Sequence, residues 1–295
     1  PLITSCCPAW TDWMEKYAPD FTENFSSAKS PQQMESALIK SYFAEKEKID
    51  PRKIFVLSIM PCTAKKFEIA RSKDMSSTGT QDTDLVLTTR ELARMLKSSG
   101  IDFLGIPEEK ADLLLGEYTG AATIFGFTGG VMEAALRTAY CLITGEKQPP
   151  SLEFKDIRGM DGIKEATIPV PVGGKTVDVR VAVAHQMGNI EKMLDRVRED
   201  IKAGKKPRYD FIEVMACRGG CIGGGGQPCG ATDEIRAQRT KGLVTDDEKS
   251  TLRMSHLNPE VQELYKSYLG APGSKKAEEL LHTRYAKREL YHFTK

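Results

Sequence analysis

Two apolar runs that end in the same way constrain this chain more than any other feature. Residues 54–62 read IFVLSIMPC and residues 211–217 read FIEVMAC, each closing on a methionine two places before a cysteine. Short, nearly all-apolar runs of this kind make strands buried on both faces, as in parallel sheets covered by helices. In an extended strand residues i and i+2 share a face, so Met60 and Met215 each flank whatever Cys62 and Cys217 bind. If the strands are parallel, both cysteines emerge at carboxyl ends, where open α/β sheets place their ligands. A methionine on a strand is ordinarily core filler. Its repetition with a cysteine at the same offset points instead to two similar lobes meeting around one site.

The stretch after Cys217 sharpens that reading. In CRGGCIGGGGQP, residues 217–228, two thiols four residues apart are accompanied by glycines, which permit positive φ and close backbone approach. Such a loop can turn backbone N–H groups toward sulfur, the contact that tunes an iron–sulfur centre. A phosphate-binding loop is the bland alternative, but no GxxxxGK motif followed by Ser or Thr is present. A structural zinc site favours two close-spaced pairs, commonly CxxC, and only one close-spaced, non-adjacent pair exists. The seven cysteines (Cys6, Cys7, Cys62, Cys141, Cys217, Cys221 and Cys229) make a poor disulfide framework and fit metal or redox chemistry in a reducing compartment. Cys7, Cys62, Cys217 and Cys221, from three distant segments, suit a four-thiolate iron–sulfur cluster better than zinc. Cys6 and Cys7 are neighbours whose side chains point apart, so one binds and the other is left nearby. A thiol with an ordinary pKa of about 8.5 can carry a proton near neutrality, although a spare cysteine standing alone would read as inert filler.

The rest of the pattern is α/β. Residues 177–184 alternate valine with other residues and, with residues 167–172 and the turn Gly173-Gly174, predict a hairpin. Ser30-Pro31 opens a helix with Met34, Leu38 and Tyr42 on one face. Thr88 and Glu91 fit a capping box for a helix that stops near Gly100. Residues 129–143 and 189–203 are further helices, Asn258-Pro259 starts one that Gly270 and Pro272 stop, and Ser274 starts another. Residues 71–83 and 145–154 read as polar surface excursions.

A length of 295 residues suffices for one large core or two fused lobes. Lys and Arg total 42 against 41 for Asp and Glu, which gives no reason to expect nucleic acid or an anionic membrane as partner. No run reaches the roughly 18 to 20 apolar residues of a membrane span, and no signal peptide opens the chain. A cytoplasmic setting is expected, or a periplasmic one if a leader lies upstream. An upstream segment is itself expected, because Pro1 is not a methionine and the first motif begins at Thr4.

These segments resemble the three signatures of the iron-only ([FeFe]) hydrogenase catalytic domain: TSCCPAW (residues 4–10), MPCTAKKFE (60–68) and EVMACRGGCIGGGGQP (213–228), in order and with family-like spacing. The similarity continues through SSAKSPQQ (26–33), TDLVLTTREL (83–92), IFGFTGGVMEAALR (124–137), RGMDGIKEA (158–166) and YLGAPGSKKAEELLHTRY (268–285). Residues 1–295 are therefore read as one catalytic domain, lacking the family's N-terminal segment and its ferredoxin-like modules. The resemblance implies an α/β fold of two lobes, with short mainly parallel sheets flanked by helices and the active site between them. It also implies an H-cluster, a 4Fe–4S cubane joined to a two-iron subsite that carries CO, cyanide and a bridging dithiolate amine. By motif position Cys7, Cys62, Cys217 and Cys221 hold the cubane, with Cys221 bridging to the two-iron unit. Lys65 hydrogen-bonds a cyanide with help from the Pro61 backbone, while Gln32, Met60 and Met215 line the same pocket. Cys6 passes protons to a relay through Ser26. The implied reaction is the reversible conversion of two protons and two electrons to H2. The implied partners are a ferredoxin-like electron carrier or additional iron–sulfur subunit, and the hydrogenase maturation proteins. Cys141 and Cys229 match no ligand position. A hydrogen sensor of the same fold and an iron–sulfur assembly protein without the two-iron subsite are the alternatives, and the intact TSCCP, Lys65 and GGGQP favour the enzyme.

Overall fold

The computed structural model describes residues 1–109, 112 and 115–290. In chain order it runs β1 (Leu2–Thr4), α1 (Pro8–Tyr17), α2 (Pro31–Leu38), α3 (Ala44–Glu47), β2 (Leu57–Met60), α4 (Lys65–Glu68), β3 (Leu85–Thr88), α5 (Thr89–Ser98), α6 (Gly120–Thr123), α7 (Gly130–Thr144), β4 (Ile163–Val172), β5 (Lys175–His185), α8 (Met187–Lys202), β6 (Phe211–Met215), α9 (Asp233–Lys249), α10 (Pro259–Leu264) and α11 (Lys275–Leu281).

The two apolar runs fall in two separate sheets. β6 is an inner strand of a four-stranded sheet ordered β1-β6-β5-β4, parallel to both neighbours, with the antiparallel β4–β5 hairpin at the far edge. Its apolar run is explained by burial on both faces: Ile212 and Val214 pack with Trp10 and Met14 of α1 and Ile190 to Val197 of α8. On the opposite face of the sheet Met132 and Leu136 of α7 meet Val181 and Val183 of β5. β2 lies in a two-stranded parallel sheet with β3 alone, Ser58 opposite Val86 and Met60 opposite Thr88. Val86 is buried, yet Phe55, Leu57, Ile59 and Leu85 are 39–68% exposed.

Local signals act where expected. The Thr88–Glu91 capping box closes at the start of α5, and Gly173 and Gly174, both at positive φ, turn the hairpin. Residues 71–83 are not a plain surface excursion. Met75, Asp82 and Thr83 are buried, because Asp82 stands 3.7 Å from the equally buried Lys29 and accepts the Ser77 hydroxyl.

Candidate metal-cluster site

Each of the three cysteine segments reaches the same hollow by leaving an element's end. β1 stops at Thr4, and α1 begins with Pro8 at its first turn, where the missing N–H costs nothing; Cys6 and Cys7 fill the corner between them. β2 delivers Cys62 just past its carboxyl end, and β6 delivers Cys217 likewise. The resulting cavity of about 310 Å³ is lined by Cys6, Cys7, Cys62, Cys217 and Cys221, together with Gln32, Met60, Lys65 and Met215.

The glycine loop closes the cavity by contact that no side chain permits. Gly220 sits at φ +90°, where a Cβ would lie 2.7 Å from the Thr128 nitrogen, and a Cβ on Gly224 would lie 2.1 Å from the Pro61 carbonyl oxygen. Backbone N–H groups face the sulfurs: Gly225 of this loop toward Cys217 and, from outside it, Ala216 and Trp10 toward Cys7. Burial pushes the Cys7 thiol up to about 12 and raises that of Cys217 as well. These sulfurs therefore become thiolates when a metal centre supplies the compensating charge. The Cys6 thiol, facing the Cys221 thiol and near Lys65, is held below its ordinary value, and the same contact raises Cys221.

Lys65 is 7% exposed, and its ammonium donates to Glu68 Oε2 at 2.7 Å and to the Cys6 carbonyl at 3.1 Å. Burial pulls its pKa down, but the Glu68 carboxylate and the neighbouring thiols more than offset that, so it stands above an ordinary lysine. Ser58 of β2 donates its hydroxyl to Gln32 Oε1 at 3.0 Å, while Gln32 Nε2 is buried in the cavity wall without a partner. An orphaned buried donor of this kind calls for an acceptor in the hollow.

The structure gathers most, not all, of the residues singled out by sequence. Ser26 does not line the cavity, and its hydroxyl accepts the Ala28 N–H at 3.4 Å. The Pro61 backbone needs correction: proline has no N–H, and its carbonyl already accepts from Gly226 N at 2.9 Å, so it braces the glycine loop and offers a ligand no donor. Cys141 is buried against Met254 in the core and Cys229 is exposed, away from the cavity. Sequence reasoning missed Glu68, whose signal is its place three residues after Lys65 on one helical face. It also missed Ala122, Phe125 and Gly126, which supply the far wall.

Among the described residues no three His, Cys, Asp or Glu side chains converge as a single ion requires. Thiols ringing a hollow, N–H groups aimed at sulfur and an unfilled donor at the rim fit a polynuclear iron–sulfur group better than one zinc ion.

Comparison with known proteins decides the family. The profile described as the iron only hydrogenase large subunit, C-terminal domain, matches residues 1–225. The chain belongs to the iron-only hydrogenase family. A second profile, the iron hydrogenase small subunit, matches residues 233–288. Among hydrogenase relatives, the chain is 48% identical over 98% of its length to the NADP-reducing hydrogenase subunit HndD of Solidesulfovibrio fructosivorans, covering 48% of that protein. It is 55% identical over 77% of its length to the periplasmic [Fe] hydrogenase large subunit of Nitratidesulfovibrio vulgaris, covering 52% of it. The solved [FeFe]-hydrogenase HydA1 of Chlamydomonas reinhardtii superposes with a TM-score of 0.82 at 42% identity, over 98% of this chain and 77% of that one. A more distant relative, Protein NAR1 of Arabidopsis thaliana, is 32% identical over 97% of the chain. The chain thus spans about half the length of the Solidesulfovibrio and Nitratidesulfovibrio hydrogenase subunits. No described helix is long and apolar enough to cross a membrane, and the periplasmic relative leaves the compartment open.

Proposed function

We propose that residues 1–295 form a hydrogenase catalytic domain that interconverts H2 with two protons and two electrons at an H-cluster. The observation that carries this reading is the convergence of five thiols, one buried lysine and one orphaned glutamine donor on a single cavity. Cys7, Cys62, Cys217 and Cys221 would hold the cubane, Cys221 also meeting the two-iron unit. When bound, the group would supply iron that binds hydrogen and an amine that exchanges its proton. The chain's residues do the rest. Lys65, kept charged by Glu68, presents its remaining N–H to an anionic ligand, a charge-assisted contact stronger than a neutral one. Gln32 Nε2 donates beside it. Met60 and Met215 keep that part of the wall apolar and exclude water. Cys6 takes up and releases a proton at Sγ, and Ser26 is the proposed next station. Electrons arrive from a ferredoxin-like carrier or a further iron–sulfur subunit.

The NAR1-like relative favours a second reading, an iron–sulfur assembly protein with the cubane alone. Infrared spectra of anaerobically matured protein separate the two: CO and cyanide bands are expected, and a cubane without them would overturn the hydrogenase reading. Cys7→Ala should lose the cubane. Cys6→Ala should keep every band while turnover falls by roughly 10²- to 10⁴-fold, and Lys65→Ala should keep the cubane with weakened CO bands.

A further inference from the structure

The loop that carries Cys217 and Cys221 is gripped from outside by the corner where β5 gives way to α8. His185, the last residue of β5, pairs with Met215 of β6 in the sheet and is 0% exposed. Its ring spans two stretches of backbone. The Met160 carbonyl stands 3.2 Å from Nε2, and the Gly219 N–H meets Nδ1 at 3.4 Å. A carbonyl only accepts and an N–H only donates, so the ring hydrogen sits on Nε2 and Nδ1 is bare. Burial and the nearby Lys164 and Arg218 cations hold the ring below the pKa of an ordinary histidine, which keeps it neutral.

The residue that follows is strained. Gln186 has φ +68° and ψ 134°, outside the left-handed helical region and in a part of the map that glycine enters far more readily than other residues. Its polar groups show what holds it there. The N–H donates to the Met215 carbonyl at 3.0 Å, the carbonyl accepts from Asn189 and Ile190 in α8, and Oε1 accepts from Arg218 Nη1 at 3.1 Å. Residues 185 and 186 thus tie down Met215, Arg218 and Gly219 on the way from β6 into the loop. The double glycine is buried, and its other polar groups are committed as well. The Gly219 carbonyl accepts the Thr128 N–H at 3.0 Å, the Gly220 N–H donates to the Cys217 carbonyl at 3.1 Å, and the Gly220 carbonyl accepts the Gly223 N–H at 3.0 Å. Of these partners only His185 is a side chain.

We propose that His185 is a positioning residue for the cluster: braced by Gln186, it holds the Gly219 N–H away from the sulfurs and keeps the cubane's reduction potential lower than a freed N–H would set it. The inference rests on the four-thiolate cubane of the hydrogenase reading and adds a residue that sets its potential. Hydrogen bonds to cluster sulfurs favour the reduced state, which carries more negative charge, and so raise the potential. The loop already directs one N–H at sulfur, that of Gly225 at Cys217, and His185 withholds a second. A buried N–H deprived of its acceptor is costly, and the two thiolates that bracket Gly219 in sequence are acceptors of the right charge.

Two measurements test this, the first without any cluster. In the metal-free chain carrying isotope-labelled histidine, proton–nitrogen NMR spectra should show the His185 proton on Nε2. The chain has four histidines, and His185→Asn identifies the signal by its loss. A proton on Nδ1 would refute the proposal, because Nδ1 could then accept nothing. The second is a redox titration, followed by electron paramagnetic resonance, of the chain loaded with the cubane alone. His185→Leu should move the midpoint upward. His185→Asn, whose Oδ1 stands where Nδ1 does and accepts the same N–H, should restore most of the shift. A bound cubane at unchanged potential in His185→Leu, or an equal shift in both variants, would refute it too. Should His185→Leu hold no cubane, the tautomer in the parent chain still decides. A parent chain that binds no cubane would instead sink the four-thiolate site, and the tautomer would still settle whether His185 holds Gly219.

Discussion

The two Met-x-Cys strands look alike in sequence and live in unlike surroundings. β6 has a parallel neighbour on each side and helices over both faces of its sheet, with Ile212 and Val214 at 0% exposure. β2 has β3 alone, and Leu57 and Ile59 are about 40% exposed. A lone parallel pair with one apolar face open is a weak unit, whereas a covered inner strand is a frame. The ends differ in the same sense. β6 runs into glycine backbone that fixes sulfur positions, while β2 runs into α4, whose Lys65–Glu68 pair acts through side chains. One end of the site is built to hold shape and the other to supply charge.

The contrast can be broken at its strongest point first. Gly220→Ala places a Cβ against the Thr128 nitrogen and Met215 Sδ at positive φ, and iron analysis after cubane reconstitution should show the cluster lost. Gly225→Ala, whose Cβ would meet Thr63 Oγ1 at an ordinary 3.4 Å, should retain iron. Equal iron in both variants would remove the cradle from the argument.

A matched pair of core truncations comes next. Ile212→Ala on β6 should cost about 2–5 kcal/mol in urea unfolding of the metal-free chain, and Ile59→Ala on β2 less than about 1 kcal/mol. Similar losses would mean that the β2 face is better covered than its exposure indicates.

The smallest effect concerns pH. Glu213 of β6 is fully buried and accepts the N–H groups of Gly129 and Met132 at 2.6 and 2.7 Å, which pins the start of α7 to the sheet. Burial raises its carboxyl from 4.5 to about 7. The native state therefore holds a proton that the unfolded chain has released. Its contribution is complete below about pH 4.5 and is lost as pH rises through about 7, a change on the order of 3 kcal/mol at most. Glu213→Gln should flatten the stability profile between these values, and an unchanged slope would assign it to other groups.

How far the chain was legible follows the same division. β6, the β4–β5 hairpin and the capped start of α5 announce themselves through apolar runs, alternation and turn chemistry. β1 is three residues long and β3 four, too short for periodicity to show. α9 went unread because it is polar all round, with Asp247 its single buried residue, so no stripe marks it. The cysteines were legible because their spacing is chemical. Glu68, Ser58 and the Phe125 wall were not, since each matters through a neighbour that only the fold supplies.

Asp247 also sets an order of events. Arg137 on α7 is 0% exposed and spends its guanidinium on Asp247, Glu133 and the carbonyls of Leu152 and Arg253. A ribosome makes that arginine 110 residues before Asp247. Until α9 emerges, Glu133 on the same helix is the carboxylate at hand, and the guanidinium N–H groups that Asp247 later accepts from are left to water, which disfavours burial. α7, which follows the Ala122–Gly126 wall of the thiol cavity, therefore gains its full set of charged partners only once α9 is in place. The core beneath that wall is thus completed by the segment that matches the small-subunit profile, which ties the two profile-matched stretches into one folding unit.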